Sequence, residues 1–165
     1  VKMKYLFLLA VPVLMFGHGG EIHEEKKVDL SHDKIEVRAE SKEINKEINR
    51  DYVKNIKPIF EVKCFDCHSD KTKYPWYFSL PLVSTMIQQD IDEAKKHLDF
   101  SKDYPFISHE TPIKDLKSIL EVFEEKSMPP FKYRIMHSES KVTEEDIEKV
   151  KVWVQNSLNK IVLEK

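Results

Sequence analysis

Two thiols with an imidazole directly after the second, Cys64-Phe65-Asp66-Cys67-His68, are the residues of this chain whose types and spacing prescribe a chemistry. In a Cys-x-x-Cys-His string the thiols become thioether links to a haem, and the adjacent histidine ligates its iron. The two links pin the porphyrin against a short loop, so His68 reaches the metal from one side as proximal ligand. The occupant of the opposite side then sets the function.

Other chemistries use the same residues. Structural zinc takes four ligands, and with no further cysteine in the chain it would need His68 and one of His97, His109 or His137. A thioredoxin-like redox pair belongs to a βαβ unit, and no such alternation surrounds the motif. A plain Cys64–Cys67 disulfide is the third alternative. With haem, the sixth iron ligand comes from Met86, Met128, Met136, His97, His109 or His137, or the position stays open. Met128 stands apart because Pro129 and Pro130 fix the backbone after it, presenting the thioether from an extended loop and not as filler on a helix. The free ring nitrogen of His68 should donate to a backbone carbonyl, with Pro75 or Pro81 the expected acceptor.

The elements that must position these groups read as helices. Ile44, Ile48, Tyr52, Ile56 and Phe60 recur at four-residue steps and mark one face of a helix running into the motif, interrupted at Pro58. Ser69 to Pro81 is dense in aromatics. Tyr74, Pro75, Trp76, Tyr77 and Phe78 are expected to wall the haem, with Trp76 and Tyr77 able to bond a propionate at its rim. A second helix is expected from Leu82 to Leu98, with Val83, Ile87, Ile91, Ala94 and Leu98 on one stripe. Thr111-Pro112 reads as an N-cap and first position, opening a helix through Leu116, Ile119 and Phe123 that ends near Lys126. Thr143 with Asp146 resembles a capping box and opens a last helix through Ile147, Val150, Trp153, Val154, Leu158 and Ile161. No strand and no repeat is legible, so the fold class is all-α.

Upstream, Lys2 and Lys4 precede an apolar run of 12 residues, Tyr5 to Phe16, and then Gly17-His18-Gly19-Gly20. That is the layout of a secretory leader, and the run falls short of the roughly 20 residues of a spanning helix. Residues 1–20 are therefore expected to be a signal peptide, cleaved or retained as an anchor, which suits a haem attached outside the cytoplasmic membrane. Residues 21–43 are charge-dense and poor in large apolars, as in a solvated tether. Residues 44–165 then form one domain. All three glycines lie in the leader, which removes Gly-rich phosphate cradles from consideration. The formal charge of −2 becomes −4 when Lys2 and Lys4 leave, and no basic stripe interleaved with aromatics recommends nucleic acid.

The motif with Ser69-Asp70, then Tyr74-Pro75-Trp76-Tyr77, Pro81 to Ser84, His97-Leu98-Asp99-Phe100-Ser101 and Met128-Pro129-Pro130, resembles the bacterial periplasmic haem-binding domain family. That single-haem group is itself similar to class I c-type cytochromes. The resemblance covers roughly Tyr52 to Gln155 and implies a helical cytochrome c domain with His68 proximal and Met128 distal. Where members often carry a histidine before an acidic residue in the second helix, this chain has Gln89 before Asp90, so that histidine's role does not carry over. The leading expectation is a periplasmic electron carrier, not an enzyme, holding one haem c and serving periplasmic redox proteins or a respiratory complex. Membrane association would come only through an uncleaved leader. The alternatives are a peroxidase-like enzyme or gas or redox sensor with an open distal position, and a docking subunit of a larger complex.

Overall fold

The computed structural model describes residues 30–162, with side chains from residue 41. The expected leader and the start of the expected tether lie outside the described residues. Helix α1 (Leu30–Asp51) begins well upstream of Ile44, because the Lys, Glu and Arg that fill its first turns are strong helix formers even without an apolar stripe. The helix then widens into a π-turn (Tyr52–Ile56) and restarts as α2 (Lys57–Lys63). Pro58 is the cause: it has no N–H to offer, and Lys57 N–H reaches back to Tyr52 O in place of the usual partner. The wider turn keeps the stripe on one side. Ile48, Tyr52, Ile56 and Phe60 are all 1% exposed or less.

The motif follows as α3 (Phe65–His68), entered through Cys64 N–H to Phe60 O at 2.8 Å. A 3-10 turn (Trp76–Ser79) leads into α4 (Pro81–His97), which starts with proline where its missing N–H has no partner to lose. The expectation of no strand is corrected: β1 (Leu98–Asp99) and β2 (Ile107–Ser108) pair antiparallel, Leu98 opposite Ser108 and Asp99 opposite Ile107. Two residues per strand are too few to leave an alternation in sequence. The class remains all-α.

Helix α5 (Pro112–Glu124) is capped by Thr111, whose hydroxyl accepts from Lys114 N–H at 3.4 Å. A short helix, α6 (Phe131–Met136), was not legible in the sequence, and a 3-10 turn (Ser138–Ser140) follows it. Helix α7 (Glu144–Val162) opens with a reciprocal cap, Asp146 N–H to Thr143 Oγ1 at 3.1 Å and Thr143 N–H to Asp146 Oδ2 at 2.9 Å. Among the described residues no helix is long and apolar enough to cross a membrane.

The core forms where the α1–α2 stripe meets α5, α7 and the aromatic segment after β1. Phe60 is at its centre, with ring centroids 4.9 Å from Phe100, 5.7 Å from Tyr52 and from Phe123, and 6.4 Å from Trp153. Because those rings are held by the π-turn, α5, α7 and the segment after β1, they cannot collapse into the space a truncation leaves. Phe60→Ala is expected to destabilise by about 3–5 kcal/mol in urea unfolding; a loss under about 1 kcal/mol would place the core elsewhere. Helix α4 behaves differently. Of its expected stripe only Ile91 is fully buried, and Leu82 and Met86 stand 76% and 53% exposed.

Candidate cofactor site

His68 is oriented by a residue thirty positions away. Its Nδ1 lies 2.7 Å from Leu98 O, and a carbonyl only accepts, so Nδ1 carries the proton and Nε2 keeps its lone pair. This corrects the expected acceptor, Pro75 or Pro81: α4 ends by delivering Leu98 onto the motif instead. Phe100 N–H to His68 O at 2.6 Å and Asp70 N–H to Ser101 Oγ at 3.0 Å add two more links along the same edge. The imidazole also packs on Phe100, 5.5 Å between ring centres.

Burial holds the His68 imidazole below its ordinary pKa, against the opposing pull of the Leu98 carbonyl. The fold therefore favours the neutral ring that a metal requires. As pH falls through the folded value the ring must charge inside the protein, so stability present above about pH 6.5 is lost. An NMR titration of the haem-free protein is expected to place the His68 midpoint below about 6.5, whereas an unshifted midpoint would mean a solvated ring.

Both cysteines are free thiols. Burial, and then the neighbouring Cys67 thiol, push Cys64 up to about 12. Burial, Asp66 and Asp90 raise Cys67 as well. The two sulfurs face different neighbours. Beside Cys64, Lys63 Nζ donates to Glu139 O and Lys141 O at 2.6 and 2.7 Å and lies 3.8 Å from Asp146 at the start of α7. Cys67 turns toward α4 and α6, where Lys132 Nζ meets Asp90 Oδ2 at 2.6 Å.

Asp66, between the cysteines, has both oxygens in use. Oδ1 accepts Lys73 N–H at 3.0 Å and Oδ2 accepts Tyr133 Oη at 2.6 Å. Nothing in the sequence marked Asp66 or Tyr133, since their partnership spans most of the domain. Tyr77 Oη lies 3.0 Å from His137 Nε2, and the His137 ring stacks on Tyr133 at 4.2 Å. Trp76 is 81% exposed and touches Tyr77 edge to face at 5.6 Å. Pro75 is half-buried, Tyr74 packs on Phe78 at 4.2 Å, and none of residues 74–78 joins the buried core.

The six candidates for the second axial position separate by place. His97 and His109 stand together, ring centres 5.9 Å apart, with His97 Nε2 on Glu93 at 3.2 Å and His109 Nδ1 on Lys96 O at 3.0 Å. They occupy the end of α4 that supplies Leu98, the Nδ1 side of His68. His137 is engaged at Nε2 by Tyr77, and its Nδ1 lies 3.6 Å from Glu139. Among the described residues no three His, Cys, Asp or Glu side chains converge to hold a metal ion, so the zinc alternative has no assembled ligand set. Met86, Met128 and Met136 are 53%, 43% and 58% exposed.

Met128 lies in the loop between α5 and α6, entered through a left-handed residue. Lys126 has φ 53°, closing α5 with Lys126 N–H to Phe123 O and Ser127 N–H to Val122 O, both 3.2 Å. Glycine normally occupies that position, and here a Cβ is carried at a cost of about 1 kcal/mol. Lys126→Gly is expected to raise stability by roughly 0.5–1 kcal/mol despite losing the exposed ion pair to Glu144. Thermal unfolding checks it, and a fall in midpoint would show that the side chain supports the turn.

Leu82 and Met86 on α4, Met128, and Phe131, Ile135 and Met136 on α6 present large apolar groups to solvent. All belong to elements bonded to α3 or to one another around it. Exposed apolar groups on neighbouring elements are the material of a binding face, and a porphyrin is a group of matching polarity. Two neighbouring thiols, an adjacent imidazole held neutral with its proton on Nδ1, and exposed apolar groups on the elements around them fit a haem.

Helical fold and site together define a haem protein, and comparison with known proteins supports that class. A family model described as "Haem-binding domain" matches residues 27–156, and the chain belongs to that family. Over 96 residues, 57% of this chain, it is also 25% identical to "Cytochrome c peroxidase Ccp" of Escherichia coli (strain K12), spanning 21% of that protein's length. No solved structure matches.

Proposed function

We propose that the protein is a mono-haem c-type cytochrome that passes single electrons in the periplasm. The observation that carries this reading is the Nδ1 bond of His68 to Leu98 O at 2.7 Å, which leaves Nε2 unprotonated on a short helix that also carries Cys67 and is entered through Cys64. When bound, haem supplies a one-electron iron couple. Cys64 and Cys67 would hold it through thioether links to its vinyl groups. His68 would offer Nε2 to the iron and Met128 a thioether, a ligand that favours the reduced metal and raises the potential relative to a second histidine. Pro75, Trp76 and Tyr77 flank the disc edge. Arg134, whose Nε–H is buried without a partner, offers a donor of the kind a propionate takes. The residues 1–20 act as an export leader, and the redox partners are periplasmic proteins or a respiratory complex.

Export together with the bacterial haem-attachment machinery tests the proposal. The purified protein is expected to carry one haem that survives acidified acetone, with a low-spin spectrum and a weak long-wavelength sulfur-to-iron band. A colourless matured protein would overturn it.

A second reading has one specific observation behind it, the similarity to a cytochrome c peroxidase. In that case the distal position is open or Met128 is labile, and peroxide chemistry draws on a polar acid or base above the metal. Rapid binding of carbon monoxide or peroxide by the unmodified protein would favour this reading over the carrier.

A further inference from the structure

The loop that presents Met128 runs into a helix held down by almost nothing apolar. No residue of α6 is buried, and Phe131, Ile135 and Met136 are 71%, 62% and 58% exposed. A helix of 6 residues does not persist unaided, so α6 depends on its cross-links. These are Tyr133 to Asp66 at 2.6 Å, Lys132 to Asp90 at 2.6 Å, Arg134 Nη1 to Lys126 O at 3.2 Å, and His137 with Tyr77 at 3.0 Å. They are unequal. Lys132 and Asp90 are 64% and 50% exposed, the kind of pair that contributes little. Tyr133 is half-buried and donates to a carboxylate, a charge-assisted bond, and Asp66 is fixed from its other oxygen by Lys73 N–H. Burial, and then the bond to Asp66, raise the phenol well above its ordinary range, so it stays a donor throughout the physiological range.

We propose that Tyr133 is a positioning residue for the distal ligand: through Asp66 it fastens α6, and the Met128 loop ahead of it, to the same pentapeptide that carries the proximal histidine. The inference rests on the haem reading above with Met128 as sixth ligand. One hydrogen bond thereby links the two sides of the metal site. When it is lost, the loop keeps its left-handed Lys126 and buried Pro129 as hinges, α6 loosens, and Met128 yields its place to an external ligand more readily.

The test is imidazole titration of the ferric, covalently loaded protein, followed by loss of the sulfur-to-iron band. Tyr133→Phe keeps the ring that stacks on His137 and deletes only the hydroxyl. It is expected to raise the apparent imidazole affinity on the order of 10- to 100-fold, whereas Lys132→Ala should shift it by less than about 3-fold. Asp66→Ala breaks the same bond from its other end and should give the same rise as Tyr133→Phe; if only one of the two variants loads haem, that one decides. Hydrogen exchange at the amides of Tyr133, Arg134 and His137 should quicken with the affinity change while those of α5 and α7 hold. Wild-type affinity and exchange in the variants, with the band intact in the unmodified protein, would overturn Tyr133's role and leave the haem reading standing. Absence of the band from the unmodified, haem-loaded protein would overturn methionine ligation itself, and the inference with it.

Discussion

Replacing Cys64 and Cys67 together by alanine is expected to take covalent haem from essentially one per chain to none, read as complete extraction into acidified acetone. The pyridine haemochrome should shift at the same time to that of a haem with free vinyl groups. Each single substitution should leave one link and an intermediate haemochrome. The two positions are not equivalent. Cys64 is partly buried against the hydrophobic core and sits beside the Lys63 cross-link to the start of α7, while Cys67 lies outside that core, near the polar pair between α4 and α6. Removing the Cys64 sulfur takes contacts from the core, so Cys64→Ala should cost the haem-free protein more stability than Cys67→Ala, by about 1 kcal/mol. His68 remains in the double variant and still offers Nε2, so the haem should bind without a covalent link and leave on extraction. Haem retained after extraction from the double variant would show that the sulfurs are not its attachment.

The helices that pack on protein were legible, and those whose partner is not protein were not. Ile48, Tyr52, Ile56 and Phe60 fall at a helical period and are all buried, since that face packs on α7 and, through Phe60, on Phe123 of α5. The caps at Thr111 and Thr143 were equally readable, being local chemistry within three residues. On α4 the same periodic argument marks a stripe, yet Val83, Ile87, Ala94 and Leu98 are only half covered. A periodic stripe reports that a face wants burial and is silent on what buries it. Helix α6 leaves no stripe at all. Its hold on the molecule is polar and long-range, Tyr133 to Asp66 across 67 positions, and no local pattern encodes such a bond.

The site itself divides along the same line. Cys64, Cys67 and His68 are adjacent in sequence, so their chemistry is written locally. The acceptor for His68 is not: Pro75 and Pro81 are nearer along the chain, but Leu98 closes the contact because α4 runs back past the motif before β1 starts. That arrangement also bears on two histidines that sequence alone kept as axial candidates. His97 and His109 stand at the end of α4 beside Leu98 and are engaged there, on Glu93 and on Lys96 O. His137 is tied to Tyr77 and packed on Tyr133, and the proposed reading therefore takes its distal ligand from the methionines.

Among the methionines, Met128→Ala is expected to have the largest effect on the iron: loss of the long-wavelength band and a fall in reduction potential on the order of 0.1 V or more, within the about 0.8 V that axial-ligand sets span. The argument is one of tethering. Met86 is set on a regular helix whose backbone cannot advance toward the metal without breaking α4, and Met136 ends a helix whose next residue is bonded elsewhere. Met128 alone follows a left-handed turn and precedes two prolines, a stretch with no helical hydrogen bonds to break as it approaches. Its 43% exposure leaves the thioether accessible from the face that α6 borders. Met86→Ala and Met136→Ala should leave band and potential nearly unchanged, and the same should hold for folding, because neither side chain is buried. A band that survives Met128→Ala and disappears with Met86→Ala would reassign the ligand to α4. A band absent in every variant, with fast peroxide binding in the parent, would overturn the proposed electron carrier in favour of a peroxide-reactive haem domain.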